Sequence, residues 1–356
     1  MNSIFEKIPN FYTNNLPFVV YRKPNSNKVS GFFMNDDSLS FTESFTENGF
    51  VFAPFESSEK AVLFSNENSE FLQETLEIKS ISSLNNDFIS SETSKQSHIR
   101  IVEKAINTIS ENELQKVVLS RKEVLEITDL TVLGIYKKLL QTYANAFVYV
   151  WFHPKVGLWF GATPETLLNI NGTSFETMSL AGTQVLKKDE PVVWKTKELE
   201  EQQLVTNFIE NKLIDIATDL QINKIETVKA GSLLHLKTKV SGTLKANSSN
   251  LKTLIRVLHP TPAVCGLPRE KAKDFILKNE NYNRSFYTGF LGELNIKNST
   301  CTNESSSLFV NLRCMSVKNN EASIYIGGGI TKDSNAENEW QETVYKAKTM
   351  KRVLSF

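Results

Sequence analysis

Cysteine is scarce: the 356-residue chain has three, Cys265, Cys301 and Cys314. Their spacing fits neither a metal-binding pair nor a disulfide framework, so they read as reduced thiols of a cytoplasmic protein. Net charge is missing as well. Forty Lys and Arg cancel forty Asp and Glu, which removes the electrostatic footprint expected of a protein bound to nucleic acid or to an anionic membrane. No long apolar run exists either. The richest stretch, AFVYVWFHPKVGLWFGA, is broken by His153, Pro154 and Lys155 and cannot span a bilayer. The N-terminal MNSIFEKIPNF lacks the basic start and apolar core of a signal peptide. Internal repeats, a Walker loop and a G-x-G-x-x-G turn are all absent.

What is present reads as a folded enzyme. Residues 1–79 are rich in Phe and carry short alternating runs, NGFVFAPF and EKAVLFS, that predict β-structure without recognisable chemistry. SISSLNNDFISSETSKQS then reads as a loop. Ile99, Val102, Ile106 and Ile109 mark an amphipathic helix. KVVLSRKEVLEI predicts a strand, TVLGIYKKLLQTY a helix, and AFVYVWF with GLWFGATPETLLNI a hairpin. Further strands are expected at LLHLKTKVSGTL, YTGFLGEL, SSSLFVNLRCMSV and ASIYIGGGI, and helices near 192–217, 250–258, 268–279 and 336–354. Strands outnumber helices and neighbours are joined by hairpins, so the class is α+β with largely antiparallel sheets.

Two glutamate pairs stand out. Glu198 and Glu201, and Glu339 and Glu342, are spaced i, i+3 in helical segments, so each pair shares a helix face. Glu201 lies on the stripe of Val205 and Phe208, and Lys346 follows Glu342 by one turn. Such faces are either solvated and charge-laced or, if turned inward, need a cation to gather them. Oxygen-only ligands favour magnesium.

Strand periodicity puts Leu308, Val310 and Leu312 on one face and Phe309, Asn311, Arg313 and Met315 on the other. Arg313 is then either a surface arginine or a fork for a carboxylate. Gly327, Gly328 and Gly329 at the end of an apolar strand either make a bulge or let backbone N–H groups approach an anion.

The motifs KVVLSR at 116–121, GATPETLL at 161–168, LAGT at 180–183, HPTPAVCGLP at 259–268, YTGFLGEL at 287–294, NLRCM at 311–315, IGGGI at 326–330 and EWQETVYKAK at 339–348 follow one another along the chain. In that order they resemble the chorismate-utilising enzymes, and within them isochorismate synthase most closely. The likeness covers roughly residues 95–356, and residues 1–94 read as a variable N-terminal part integrated with the same domain.

The resemblance implies a single large α+β domain whose layered antiparallel sheets and helices enclose a deep cleft. It implies that Lys116 activates water for attack at C2 of chorismate, and that Glu165 protonates the departing C4 hydroxyl. A base must be neutral and an acid protonated, so the cleft is expected to bias both groups. By the same transfer Glu201 and Glu342 are the principal Mg2+ ligands, supported by Glu198 and Glu339. Arg313 and Tyr287, with the backbone at Gly327 and Gly329, resemble a clamp for the enolpyruvyl carboxylate, and Lys346 adds charge. His235 is expected near the ring, and Thr183, Thr261 and Ala263 along the pocket. One departure is visible: Glu200 and Gln202 flank Glu201 where relatives often carry a histidine.

Lys116 favours water over ammonia, because the aminating anthranilate and aminodeoxychorismate synthases usually have glutamine there. No glutamine amidotransferase partner is expected, and the expected state is a monomer. The alternative is a salicylate synthase, which follows isochorismate formation with pyruvate elimination. Menaquinone and siderophore biosynthesis both remain open as destinations of the product.

Overall fold

The computed structural model describes residues 3–77, 92–127, 131–186, 191–231, 233–245, 250–297 and 304–354. Most of the SISSLNNDFISSETSKQS segment lies outside them, as does Cys301, although residues 92–97 already belong to the helix Glu92–Ser110.

Strand chemistry explains the layering. In Phe147–His153, Phe147, Tyr149 and Trp151 enter an aromatic cluster, while Val148, Val150 and Phe152 enter a separate cluster on the opposite face. The period of two thus sends rings one way and mostly aliphatic groups the other. Gly49–Ala53 repeats the device: Phe50 and Phe52 join the aromatic cluster, Val51 and Ala53 another core. Phe52 stacks on Phe286 at 4.2 Å, and Phe147 on Phe309 at 4.2 Å. Every residue of both strands is buried, as expected for strands covered on both faces.

Two antiparallel sheets result. Nine described strands form the first, in the order Gly266–Leu267, Lys116–Glu126, Glu321–Ile330, Cys314–Lys318, Gly157–Thr163, Phe147–His153, Phe18–Arg22, Lys28–Met34 and Ser69–Thr75. The second runs Ala217–Ile222, Leu233–Leu244, Ser174–Val185, Thr166–Asn171, Glu304–Val310, Phe290–Lys297, Gly49–Ala53, Ala61–Ser65 and Ser40–Thr42, with Glu226–Ala230 also paired to Leu233–Leu244. The aromatic cluster draws on both sheets. Helices Val132–Thr142 and Ala336–Leu354 share a core with the first sheet, and Thr196–Leu213 and Leu251–Leu258 with the second. The α+β reading and the antiparallel layering hold.

Several local readings are corrected. The N-terminal segment opens with a helix, Ile4–Thr13, started by a capping box between Ser3 and Glu6. SSSLFVNLRCMSV is two strands, Glu304–Val310 in the second sheet and Cys314–Lys318 in the first. The alternation predicted through Arg313 therefore fails. The chain crosses between sheets at Asn311–Arg313, and Arg313 adopts φ 46°, a left-handed conformation rare outside glycine. GLWFGATPETLLNI likewise divides into Gly157–Thr163 and Thr166–Asn171, one in each sheet, with Pro164 and Glu165 at the crossing. In YTGFLGEL the strand starts only at Phe290, so Tyr287 sits in the preceding turn.

Candidate active site

The two crossings set the position of the cleft. Val310 N donates to Glu165 O at 3.0 Å, and Ala162 N donates to Arg313 O at 3.0 Å, so both bends are tied to the same four strands. Beside them, pairing of Ser174–Val185 with Leu233–Leu244 slips at Gly182, which takes φ 67°. This bulge aims Gly182 and Thr183 into the cleft. Gln202 secures it. Its Oε1 accepts from Ala181 N at 2.9 Å, and its Nε2 donates to Ser179 Oγ at 2.8 Å and Thr238 Oγ1 at 3.1 Å. The departure from the histidine expected beside Glu201 is thus a buried amide that joins helix Thr196–Leu213 to the sheet under the next turn.

The cleft encloses about 710 Å3, its mouth included, and is walled by Glu165, Thr183, Glu201, His235, Ala263, Tyr287, Arg313, Gly327, Gly329, Glu342 and Lys346. Those are sequence-predicted residues brought together. Lys116, Thr261 and Glu339 are buried off the wall, Glu198 is off it too, and the Thr261 hydroxyl has no partner. Wall residues that sequence reasoning passed over include Val118, Leu180, Thr288 and Tyr325. Tyr325 stacks on Tyr287 at 5.5 Å and on Trp159 at 5.3 Å, which backs the Tyr287 ring with an aromatic column.

Lys116 opens its strand, is fully buried, and places Nζ 2.9 Å from Glu201 Oε1. The contact lacks the angles of a hydrogen bond. Burial would raise the Glu201 carboxyl, but Lys116, with Lys346 and Lys197, outweighs it and holds the group below its ordinary value. Glu165 is treated oppositely. It is 3% exposed, and burial pushes it up to about 8 against the charges of Lys116 and Arg313. At neutral pH it keeps its proton.

His235 is neutral. Burial first, then Arg313 and Lys346, push it down to about 3. Its Nδ1 donates to Gly182 O at 3.0 Å, which leaves Nε2 to face Arg313 Nη2 as an acceptor at 3.4 Å. Thr183 Oγ1 is 3.3 Å from Nδ1. The histidine therefore positions the arginine fork.

Three glutamates surround the glycine run. A Cβ on Gly329 would lie 2.4 Å from Glu201 Oε1, and one on Gly328 3.6 Å from Glu342 Oε1 and 3.7 Å from Glu339 Oε2. At Gly329 only a bare backbone leaves room for the Glu201 carboxylate, whereas at Gly328 a Cβ would make ordinary contact with the other two. Each is met by a lysine: Glu201 by Lys116, Glu342 by Lys346 at 2.5 Å, and Glu339 by Lys197 at 2.5 Å. Burial, and next the charge of Glu342, raise Glu339 despite Lys197. Glu198 faces elsewhere: its Oε2 accepts Lys195 N at 3.0 Å and caps its own helix. No three His, Cys, Asp or Glu side chains among the described residues form a ready metal cluster. The donor chemistry nonetheless suits magnesium, with oxygen ligands from two helices converging where a side chain is missing.

Behind the wall, a buried ion pair fixes its parts. Arg284 Nη2 meets Glu280 Oε1 at 2.6 Å and Val118 O at 2.7 Å, and Nη1 donates to Val264 O at 3.0 Å. Glu280 Oε1 also accepts Ser120 N at 2.7 Å. Sequence periodicity carries no sign of this network, since its members lie in three separate segments.

The two described cysteines, Cys265 and Cys314, take no part. Burial pushes the Cys265 thiol up to about 11 and Cys314 well above its ordinary value, so neither is a thiolate nucleophile.

A two-sheet fold with a charged cleft at paired crossings, holding one protonated and one ionised carboxyl, has the groups that acid–base enzymes use. The pattern described as chorismate binding enzyme matches residues 50–355, and the chain belongs to that family. Isochorismate synthase EntC of Escherichia coli (strain K12) is 30% identical over 268 residues, which cover 71% of this chain and 66% of that protein. The chain thus matches a little under two thirds of that relative's length. Among solved structures, the putative 2,3-dihydroxybenzoate-specific isochorismate synthase DhbC from Bacillus anthracis superposes with a TM-score of 0.79 at 22% identity, covering 99% of both chains. The menaquinone-specific isochorismate synthase MenF from Escherichia coli superposes with a TM-score of 0.77 at 20% identity, covering 95% of this chain and 89% of that one. Among the described residues no helix is long and apolar enough to cross a membrane.

Proposed function

We propose that the protein is an isochorismate synthase. The observation that carries this reading is the opposite treatment of two carboxyls in one cleft: Glu165 buried and protonated, Glu201 ionised and paired to Lys116. Replacement of a ring hydroxyl by water requires an acid for the leaving group and a base for the nucleophile. Lys116, once it has released the proton that pairs it with Glu201, takes a proton from water, and the oxygen bonds to C2 of chorismate. The ring double bonds shift, the C4–O bond breaks, and Glu165 supplies the proton that lets this hydroxyl depart as water. Arg313 binds a substrate carboxylate through its fork, held by His235 and joined by the Tyr287 hydroxyl and the Gly327 and Gly329 backbone.

Glu201 and Glu342, with Glu339 beside them, would hold Mg2+, which when bound supplies positive charge for the ring carboxylate. Lys346, whose Nζ donates to Gly327 O at 2.9 Å, stiffens the glycine run on the same side.

The test is incubation of purified protein with chorismate and magnesium, with products resolved by chromatography. Isochorismate as the sole product supports the reading. Salicylate with pyruvate would replace it with salicylate synthesis, and an aminated product would overturn the role given to Lys116.

A further inference from the structure

Of the three lysines that meet the glutamates, Lys197 is held least firmly. Lys116 is fully buried at Glu201, and Lys346, 14% exposed at Glu342, also donates to Gly327 O at 2.9 Å. Lys197 stands in the first turn of helix Thr196–Leu213, and its 25% exposed side chain reaches across to Glu339 on helix Ala336–Leu354 at 2.5 Å. Glu339 itself is only 2% exposed. A flexible stem with one side open to water thus delivers an ammonium group to a carboxylate that water hardly reaches.

Lys197 feels more than its direct partner. Burial would lower its ammonium, but the charges of Glu339, then Glu342 and Glu201, hold it above its ordinary value. It therefore sits in the field of all three carboxylates that converge on the glycine run. Glu339 depends on it in return, since burial and the charge of Glu342 raise that carboxyl and Lys197 opposes them. A cation entering among these oxygens must compete with Lys197. The tethered ammonium acts at an effective concentration on the order of millimolar or higher. A monovalent ion brings no more charge than the lysine and gains nothing over it. A divalent ion doubles the attraction to the same carboxylates and repels the ammonium, which has a water-facing side through which to withdraw.

We infer that Lys197 is an exchangeable counter-ion that closes Glu339 to monovalent cations and yields it only to a divalent one, and so sets the affinity and selectivity of the cation site. The assignment of magnesium rests on the proposed function; competition between Lys197 and a cation for Glu339 does not.

The experiment measures magnesium binding to the full chain by calorimetry, without chorismate, in wild type, Lys197→Met and Lys195→Met. Methionine keeps an unbranched stem and removes the charge, and Lys195, exposed two residues earlier, controls for loss of charge alone. Lys197→Met should bind magnesium about tenfold more tightly than wild type, and Lys195→Met should stay within about twofold. In EDTA, potassium chloride in place of choline chloride at equal ionic strength should raise the Tm of Lys197→Met by about 2 °C or more and leave that of wild type unchanged. Equal or weaker magnesium binding by Lys197→Met overturns the proposal, because Lys197 would then only position Glu339. The same potassium response in both proteins overturns it as well. If Lys197→Met does not fold, wild type decides: acetylation of Lys197 by a water-soluble N-hydroxysuccinimide ester, read by peptide mass spectrometry, should speed up at least about threefold on adding magnesium. Exposed Lys318 is the reference, and an unchanged or slower rate at Lys197 overturns the exchange. Wild type that binds magnesium but leaves chorismate unconverted removes the proposed function and leaves Lys197 to be decided by these binding arms. Wild type that binds no divalent ion removes the cation site and this role of Lys197 together.

Discussion

Glu165 and Arg313 occupy equivalent places on neighbouring strands: each sits where its chain leaves one sheet for the other, and each crossing is hydrogen-bonded to the other's strand. A buried acid and a cation are thereby held at one seam by backbone rather than by flexible side-chain reach. Arg313 also lowers the Glu165 carboxyl electrostatically, but burial dominates and the proton stays.

Removing that acid should cost rate and change the pH dependence of stability. Glu165→Gln is expected to lose about 10²- to 10⁴-fold in turnover while still binding chorismate in calorimetry. In wild type, turnover should decline as pH rises through about 8, where the acid loses its proton. For a carboxyl raised on folding, the contribution to stability is full below its unfolded pKa and is lost as pH rises through the folded value. The Tm of Glu165→Gln relative to wild type should therefore increase between about pH 4.5 and 8. A pH-independent Tm difference would contradict the buried-proton assignment.

Lys116→Ala should abolish isochorismate formation at every pH. It also leaves the half-buried Glu201 without its main partner, which should lower stability by up to about 3 kcal/mol. Glu201 is held low in the fold, so its contribution is present above the unfolded pKa and fades as pH falls. The loss of stability in Lys116→Ala should be larger at pH 7 than at pH 4, as melts at both values would show. Comparable isochorismate production by the variant would refute the base.

Glu201→Gln and Glu342→Gln are expected to raise the magnesium needed for half-maximal rate by at least about tenfold with the fold intact. Glu198→Gln, whose carboxylate caps its own helix, should change the magnesium titration little and lower Tm slightly instead. Rates across a magnesium series, with melts as control, separate these outcomes. A Glu198 variant that behaves like the Glu201 variant would place the ligands in a different set.

The Glu280–Arg284 pair should behave as a coupled unit. Glu280→Gln is expected to cost about 3–5 kcal/mol because Arg284 stays buried and uncompensated. Glu280→Leu combined with Arg284→Met should cost much less than the sum of the single changes. Denaturant unfolding of the four proteins measures this, and strict additivity would mean that the pair is not coupled.

The helix and strand periods, the antiparallel class and many of the polar and charged residues on the cleft wall were legible in the sequence, because residue type and spacing govern which face of an element is apolar and because eight short motifs kept their order. The glutamates at i, i+3 could be put on common helix faces. Which of them met was not legible: Glu201, Glu339 and Glu342 converge on the glycine run, whereas Glu198 turns back to its helix start. Nor could alternation place Arg313, since counting by twos assumes one continuous strand, and the chain there bends through a left-handed residue into another sheet. The protonation of Glu165 likewise depends on what surrounds it. Charge and burial are properties of neighbours distant in sequence, and only the packed sheets bring those neighbours together.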